Sequence, residues 1–170
     1  MALIKSLNNL HPIIAADVFL ADNATIIGDV RIAKGSSVWF NSTIRGDVNS
    51  IVIGNNVNIQ DGVVVHCTYQ KTNTVIGNNV SIGHNAIIHG CKIEDNVLIG
   101  MGAIIMDGAL IQKNSIVAAG SVVTKNTLVA SGSIFAGLPA KLIRTISEEE
   151  IFDLTQNMAD NYIKYSSWYL

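Results

Sequence analysis

The sequence of 170 residues is poor in cysteine and aromatic residues and has no long uninterrupted apolar run. Its two cysteines, Cys67 and Cys91, are too few for a disulfide framework, so the sequence predicts a reduced chain. The first residues, MALIKSLNNLHPIIAAD, show no signal-peptide pattern, and no segment approaches the ~20 apolar residues of a membrane helix. We therefore expect a soluble, cytoplasmic protein.

Charge is also scarce and nearly balanced, with 14% charged residues, a formal net charge of −2 and a pI of about 6.0. Such a chain offers no excess of positive charge to nucleic acid or to an anionic membrane, so we expect neither as a partner. Apolar residues make up 49% of the sequence, but aromatic residues only 6%. Small aliphatic side chains must therefore fill a narrow, regular core in a single domain.

Aliphatic residues recur at every sixth position along most of the chain. This period matches neither a helix nor a plain strand, and chance periodicity in an ordinary β protein is the weaker alternative. It is typical of a hexapeptide β-helix, in which three hexapeptides form one triangular coil and the coils stack through parallel strand pairing. Two gaps in the phase, before Ile53 and before Ile76, predict loops that leave the coil. The residues in phase are Ile14, Leu20, Ile26, Ile32, Val38, Ile44, Ile53, Ile59, Val65, Ile76, Ile82, Ile88, Ile93, Ile99, Ile105, Ile111, Val117, Val123, Val129 and Phe135.

The end of the chain follows a different pattern. The segment LPAKLIRT leaves the repeat, and SEEE at 147–150 is a capping box that predicts the start of a helix. We expect this helix to lie against the outside of the β-helix. The sequence thus predicts a β-helix domain over 1–140, and a connector and helix over 141–170. The expected apolar helix face consists of Ile151, Leu154, Met158, Tyr162 and Tyr165.

The histidines of GHNAIIHG, His84 and His89, are five residues apart, a spacing that brings no two side chains to one face of a helix or flat strand. The hexapeptide register places them. If the three sides of a coil are counted from Ile53, His66 and His89 both directly follow the periodic residue of the third side. Stacked strands are ~4.8 Å apart, so these two side chains can share one metal ion. His84 lies on the second side, around a corner.

The third side of one chain can face the second side of another copy. A trimer with parallel axes would bring His66 and His89 of one subunit to His84 of the next. Three neutral imidazoles with one open position are the donor set of a catalytic Zn²⁺ site, although Fe²⁺ and Co²⁺ also accept imidazole. The sequence therefore predicts a homotrimer with metal at its interfaces.

Polar residues fall near the same columns. Arg45 stacks above the third-side histidines and Asp61 above the second-side histidine, so we expect an Arg45–Asp61 ion pair across the subunit boundary. The residues close to these columns are Asp47, Asn58 and Gln60.

Four motifs together resemble the γ-class carbonic anhydrases and their close hexapeptide-repeat relatives: RGD (45–47), NIQD (58–61), VVVH (63–66) and GHNAIIHG (83–90). The resemblance implies a homotrimeric left-handed β-helix that hydrates carbon dioxide at metal ions between its subunits. The family's metal ligands fall on His66, His84 and His89, its interface ion pair on Arg45 and Asp61, its water-orienting glutamine on Gln60, further site positions on Asp47 and Asn58, and a helix tyrosine near the site on Tyr162.

The chain departs from the family pattern where acidic residues are linked to proton export. Val48 follows the RGD motif, and the loop CTYQKTNT (67–74) carries no carboxylate. Two alternatives therefore stay open beside carbon dioxide hydration. One is an acyl-CoA acyltransferase or thioesterase of the hexapeptide class, with a histidine as general base. The other is a metal-binding trimer without catalysis.

Overall fold

The structure is a computed structural model that describes residues 1–169. The six-residue repeat forms a three-sided parallel β-helix of about 7 turns. A helical segment follows it: α1 (Glu148–Ile151), a π-helical turn (Phe152–Gln156), α2 (Asn157–Ser166) and a 3-10 turn (Ser167–Tyr169). The strands are β1 (Leu3–Lys5), β2 (Ile13–Ile14), β3 (Phe19–Leu20), β4 (Thr25–Ile32), β5 (Ser37–Val38), β6 (Thr43–Ile53), β7 (Asn58–Ile59), β8 (Val64–His66), β9 (Thr74–Ile76), β10 (Ser81–Ile82), β11 (Ile87–His89), β12 (Lys92–Ile93), β13 (Leu98–Ile99), β14 (Ile104–Ile105), β15 (Leu110–Ile111), β16 (Ile116–Val117), β17 (Val122–Val123), β18 (Leu128–Val129), β19 (Ser133–Gly137) and β20 (Ala140–Thr145).

Each strand pairs in parallel with the strand one coil further along. On the second side the order is β3, β5, β7, β10, β13, β16 and β19, with β20 added antiparallel at the end. The first and third sides form one sheet, because β4 and β6 are long enough to turn the corner between them. This is the hexapeptide-repeat left-handed β-helix that the sequence predicts, and the prediction is confirmed.

The periodic aliphatic residues point inward and stack directly on one another. On the second side, for example, Ile82 lies between Ile59 and Ile99 in register, and all three are fully buried. Burial of one such side chain stabilises the fold by roughly 1.5–3 kcal/mol. Small residues such as Ala86 and Ala103 occupy the buried corner positions, because a triangular coil leaves little room there.

One corner of the β-helix is built from a ladder of asparagines. Asn56, Asn79, Asn96 and Asn114 all adopt a positive φ between 53° and 58°, a conformation that asparagine tolerates better than most residues. The side-chain amide of each donates to the amide oxygen of the next at 3.1 Å. The ladder therefore both permits the turn and joins successive coils.

The two gaps in the repeat have different structures. After β8, residues 67–73 leave the coil as the predicted loop before β9 begins. At the first gap the prediction of a loop is wrong, because β6 continues through it as a strand. Its pairing with β4 jumps from Gly28–Gly46 to Val30–Ile51, so residues 47–50 bulge opposite a single residue of the neighbouring coil.

The C-terminal helix begins as predicted, with a complete capping box between Ser147 and Glu150. The predicted apolar face is wrong at Leu154, whose side chain is 38% exposed, while Thr155 and Ala159 are buried instead. The π-helical turn adds a residue to that turn and so rotates the face. No helix within residues 1–169 is long and apolar enough to cross a membrane. Leu170 lies outside the described residues, and the domain division at residue 140 stays a prediction.

Candidate metal centre

The third side of the β-helix brings two histidines together. His66 at the end of β8 and His89 at the end of β11 are paired in register. The Nδ1 atom of His66 lies 3.2 Å from the Nε2 atom of His89, and their ring centroids are 5.2 Å apart. The proximity expected from the hexapeptide register is therefore present within a single chain.

Each of these imidazoles has a carboxylate at its other nitrogen. Asp47 Oδ1 lies 2.9 Å from His66 Nε2, and Asp107 Oδ2 lies 3.1 Å from His89 Nδ1. If each carboxylate accepts a hydrogen bond from the outer N–H of its histidine, the two facing nitrogens both carry lone pairs and neither can donate to the other. Such a pair needs a shared proton or a cation between them. The donor set therefore fits a metal ion, and outer carboxylates of this kind orient metal-binding histidines.

Asp47 owes its position to the bulge in β6. Burial raises the pKa of this carboxyl, but hydrogen bonds from His66 and Arg45 outweigh it, so the pKa lies below its usual value. Arg45 pairs with Asp47 inside one chain. The Arg45–Asp61 pair across a subunit boundary stays a prediction, because one chain does not test it.

Asp107 is the residue of this site that the sequence reasoning missed. Its carboxylate accepts hydrogen bonds from the hydroxyls of Thr68 and Thr72 as well as facing His89. Burial raises its pKa, and these partners together hold it below the usual value. A signal was available, since Asp107 lies two residues after Ile105 and thus on the third side, one coil beyond the second histidine.

The second side carries the remaining predicted residues. His84 follows β10, and its Nδ1 atom lies 2.9 Å from Asp61 Oδ2, with both side chains about 40% exposed. Gln60 and Asn58 are buried beside them. The amide of Gln60 donates to Asn58 Oδ1 at 3.0 Å, and Asn58 donates to the Ser81 hydroxyl at 2.7 Å.

The second-side and third-side histidines stay apart in one chain, because β10 and β11 belong to different sides. Within residues 1–169 of one chain, no three His, Cys, Asp or Glu side chains are grouped so that they could hold a metal ion. His66 and His89 thus form a two-histidine half of the predicted site, and His84 is not brought to them.

Tyr162 of α2 closes a cleft over the second side. The cleft has a volume of about 350 Å³ and is lined by Gln60, His84 and Tyr162 together with apolar residues such as Met101 and Met158. The Tyr162 ring packs edge-on against Trp39, with centroids 5.3 Å apart. Burial, helped by the negative charge of Asp61, raises the pKa of Tyr162 to about 12, so the phenol is protonated at neutral pH.

The two cysteines are free and buried next to the histidine strands. Burial raises the pKa of both thiols, that of Cys91 to about 12. Both therefore pack as small apolar side chains, and neither is present as a thiolate at neutral pH.

Comparison with known proteins finds close relatives over most of the chain. The family described as bacterial transferase hexapeptide (six repeats) matches residues 73–105 and 90–125. A probable carbonic anhydrase of Methanocaldococcus jannaschii is 50% identical over 153 residues, covering 90% of this chain and 95% of that protein. The mitochondrial γ carbonic anhydrase 2 of Arabidopsis thaliana is 48% identical over 159 residues. That alignment covers 89% of this chain but only 56% of the plant protein.

A solved structure also matches this fold over nearly the whole chain. The crystal structure of a putative acetyltransferase from Bacillus cereus superimposes with a TM-score of 0.95 at 36% identity, covering 98% of this chain and 96% of that one. On the identity to the archaeal and plant proteins, the chain belongs to the γ-class carbonic anhydrase-like family of hexapeptide-repeat proteins.

Proposed function

We propose that this protein is a metal-dependent carbonic anhydrase whose sites lie between the subunits of a homotrimer. The observation that supports this most directly is the pair of facing nitrogens on His66 and His89, each imidazole held from behind by a carboxylate. In this proposal His84 of the next subunit supplies the third ligand. The carbonic anhydrase relatives support the same reaction.

Three imidazoles suit Zn²⁺, and Fe²⁺ or Co²⁺ would also be accepted. When bound, such an ion supplies Lewis acidity that lowers the pKa of a water molecule to ~7. The side chains of this chain hold and orient what reacts. Asp47 accepts a hydrogen bond from the Nε2–H of His66, so the proton stays on Nε2 and the lone pair of Nδ1 would be free to bind the ion.

Gln60 is the candidate for orienting the reacting water and carbon dioxide. It lines the cleft beside His84, and its hydrogen bond to Asn58 fixes the orientation of its amide. Asn58 is in turn fixed by Ser81, so the amide pair is rigid before substrate arrives. Tyr162 stays protonated and can donate a hydrogen bond in the cleft, but it does not act as a base.

Hydration also releases a proton, which must leave the site for each bicarbonate formed. The loop at residues 67–73 carries no carboxylate, and Val48 is half-buried against the core. We propose that buffer accepts the proton directly, so the turnover rate should rise with buffer concentration. A cytoplasmic location and the lack of nucleic-acid or membrane partners stay predictions.

One observation favours a second candidate. The Bacillus cereus relative is a putative acetyltransferase, and the cleft next to His84 has an apolar lining that suits an acyl chain. Acyl transfer needs one histidine as a general base, whereas two of the histidines here face each other with their outer nitrogens occupied. Carbon dioxide hydration at a metal ion therefore accounts for the facing histidine pair, whereas acyl transfer does not require it.

Stopped-flow measurement of carbon dioxide hydration tests the proposal, on protein reconstituted with Zn²⁺ and, separately and anaerobically, with Fe²⁺. His89→Ala should lose both bound metal and hydration. The control is His11→Ala, since His11 is exposed and hydrogen-bonds with Ser6 near the start of the chain, away from the predicted ligands in the sequence. Full metal binding without hydration at any buffer concentration would refute carbonic anhydrase activity, and acyl-CoA substrates would be assayed next.

A further inference from the structure

The loop that follows β8 is tied to the second histidine through a single carboxylate. Asp107 Oδ1 accepts hydrogen bonds from Thr68 at 2.6 Å and from Thr72 at 3.0 Å, and its other oxygen faces His89 Nδ1 at 3.1 Å. The loop closes on itself as well, because the backbone N–H of Thr68 donates to the Thr72 hydroxyl at 3.1 Å. Both oxygens of the carboxylate are thus engaged.

The loop also lies directly on the strand end that carries His89. A Cβ atom added at Gly90 would collide with the Thr72 hydroxyl and with Asp107 Oδ1. Gly90 has a positive φ of 58°, so the backbone turns away immediately after the histidine. Only a glycine there allows the Thr72 hydroxyl and the Asp107 carboxylate to pack this close to the backbone that follows His89.

We propose that Asp107 is the positioning residue of His89, and that Thr68 and Thr72 hold Asp107 in place. By accepting a hydrogen bond from the Nδ1–H, the carboxylate selects the tautomer whose Nε2 atom carries the lone pair. It also aims that lone pair at His66. The inference rests on the proposed function in that a metal ion is what the aligned nitrogens would bind.

The physical basis is a choice between two neutral tautomers of nearly equal stability in water. With the proton on Nε2, the imidazole could not donate to a metal on the side of His66. A carboxylate at Nδ1 removes that tautomer and makes the ligand nitrogen more basic, and loss of such a partner typically weakens metal binding ~10–100-fold. The loop thereby contributes to the metal site without supplying a ligand.

A purely structural role is the competing explanation, because a carboxylate in this β-helix can also serve only to join two coils. Asp95 is the matched example: its Oδ1 atom accepts from the backbone N–H of Asn78 at 2.7 Å and from the Asn78 amide at 3.3 Å, and its hydrogen bonds involve no histidine. Asp95→Ala therefore removes a coil-joining carboxylate while leaving the histidines untouched.

The experiment compares Asp107→Ala, Asp107→Asn and Asp95→Ala with the wild-type protein. Zn²⁺ affinity is measured by competition with a chelator, at a concentration where sedimentation shows the same assembly for every variant. We expect ~10–100-fold weaker binding for Asp107→Ala and wild-type affinity for Asp95→Ala. Asp107→Asn keeps an acceptor oxygen at the same place, so it should recover part of the loss.

A second readout concerns the tautomer alone and needs no metal. Long-range ¹H–¹⁵N NMR of the metal-free protein should show His89 with its proton on Nδ1, and Asp107→Ala should move proton population to Nε2. If Asp107→Ala does not fold, the partial loss and tautomer shift in Asp107→Asn decide the matter instead.

The outcomes separate this inference from the proposed function. Wild-type Zn²⁺ affinity in both Asp107 variants, or an equal loss in Asp95→Ala, would overturn the positioning role while leaving carbonic anhydrase activity in place. An unchanged His89 tautomer in the Asp107 variants would overturn it as well. Wild-type protein that binds none of Zn²⁺, Fe²⁺ and Co²⁺ would overturn both.

Discussion

Mixing two inactive variants should rebuild working sites if each site uses side chains from two subunits. His89→Ala damages only the third side of the β-helix, and His84→Ala damages only the second side, since these histidines follow strands on different sides. Each variant by itself should form trimers without an intact site. In a mixed trimer, however, the intact third side of one variant can meet the intact second side of the other.

The expected recovery follows from ring closure. A closed ring of three subunits that contains both variants always has a single interface with an intact third side and an intact second side. The other two interfaces lack at least one histidine. Metal content and hydration rate per trimer should therefore return to about one third of the wild-type values, whichever variant is in excess.

Co-expression with two different affinity tags, followed by purification on both, isolates the mixed trimers for metal analysis and stopped-flow assay. The control mixes His66→Ala with His89→Ala. Both substitutions damage the third side, so no interface is intact and no recovery is expected. Mixed trimers of the first kind that stay inactive and metal-free would refute the assignment of the site to the subunit boundary.

Three further predictions concern stability and reactivity. Ile88 is fully buried beneath His89, so Ile88→Ala should lower the free energy of unfolding by about 2–5 kcal/mol and Ile88→Val by about 0.5–1.5 kcal/mol, measured by urea denaturation; equal effects would contradict the packing. The hydrogen bond from Arg144 lowers the pKa of Glu150 from 4.5 to about 2. Its helix-capping contribution is therefore complete above pH 4.5 and is lost as the pH falls through about 2, and an NMR titration midpoint near 4.5 would contradict it. Both cysteines should be inert to a thiol reagent in the native protein and react only on unfolding, and one fast-reacting thiol would contradict their burial.

The architecture was accessible from the sequence because each hexapeptide meets the same environment. Ile59, Ile82 and Ile99 occupy equivalent positions in successive coils. The recurrence of an aliphatic residue at this position therefore indicates which residues of successive coils are paired. Residues next to the periodic positions share the same register. His66 and His89 each directly follow a periodic residue, so the sequence alone predicts that they lie side by side.

Two of the features that escaped prediction lie where the repeat is broken. The bulge at residues 47–50 keeps a strand where the lost phase indicated a loop, and it carries Asp47 to His66. The π-helical turn rotates the C-terminal helix so that Leu154 faces solvent. The bulge and the π-helical turn each occur once and do not repeat along the chain. A method that relies on periodic residues therefore cannot detect them.

The β-helix, its three sides and the column that holds two of the histidines could be predicted from the residue pattern, because they depend on a regular period and on strand spacing. Which carboxylate lies behind each histidine became evident in the folded chain. Asp107 is separated by 18 residues from His89 and by 39 from Thr68, yet all three meet at one point. Contacts of this kind depend on how an irregular loop folds back onto a regular scaffold, and the balance of hydrogen bonds that places it exists only once the coils have stacked.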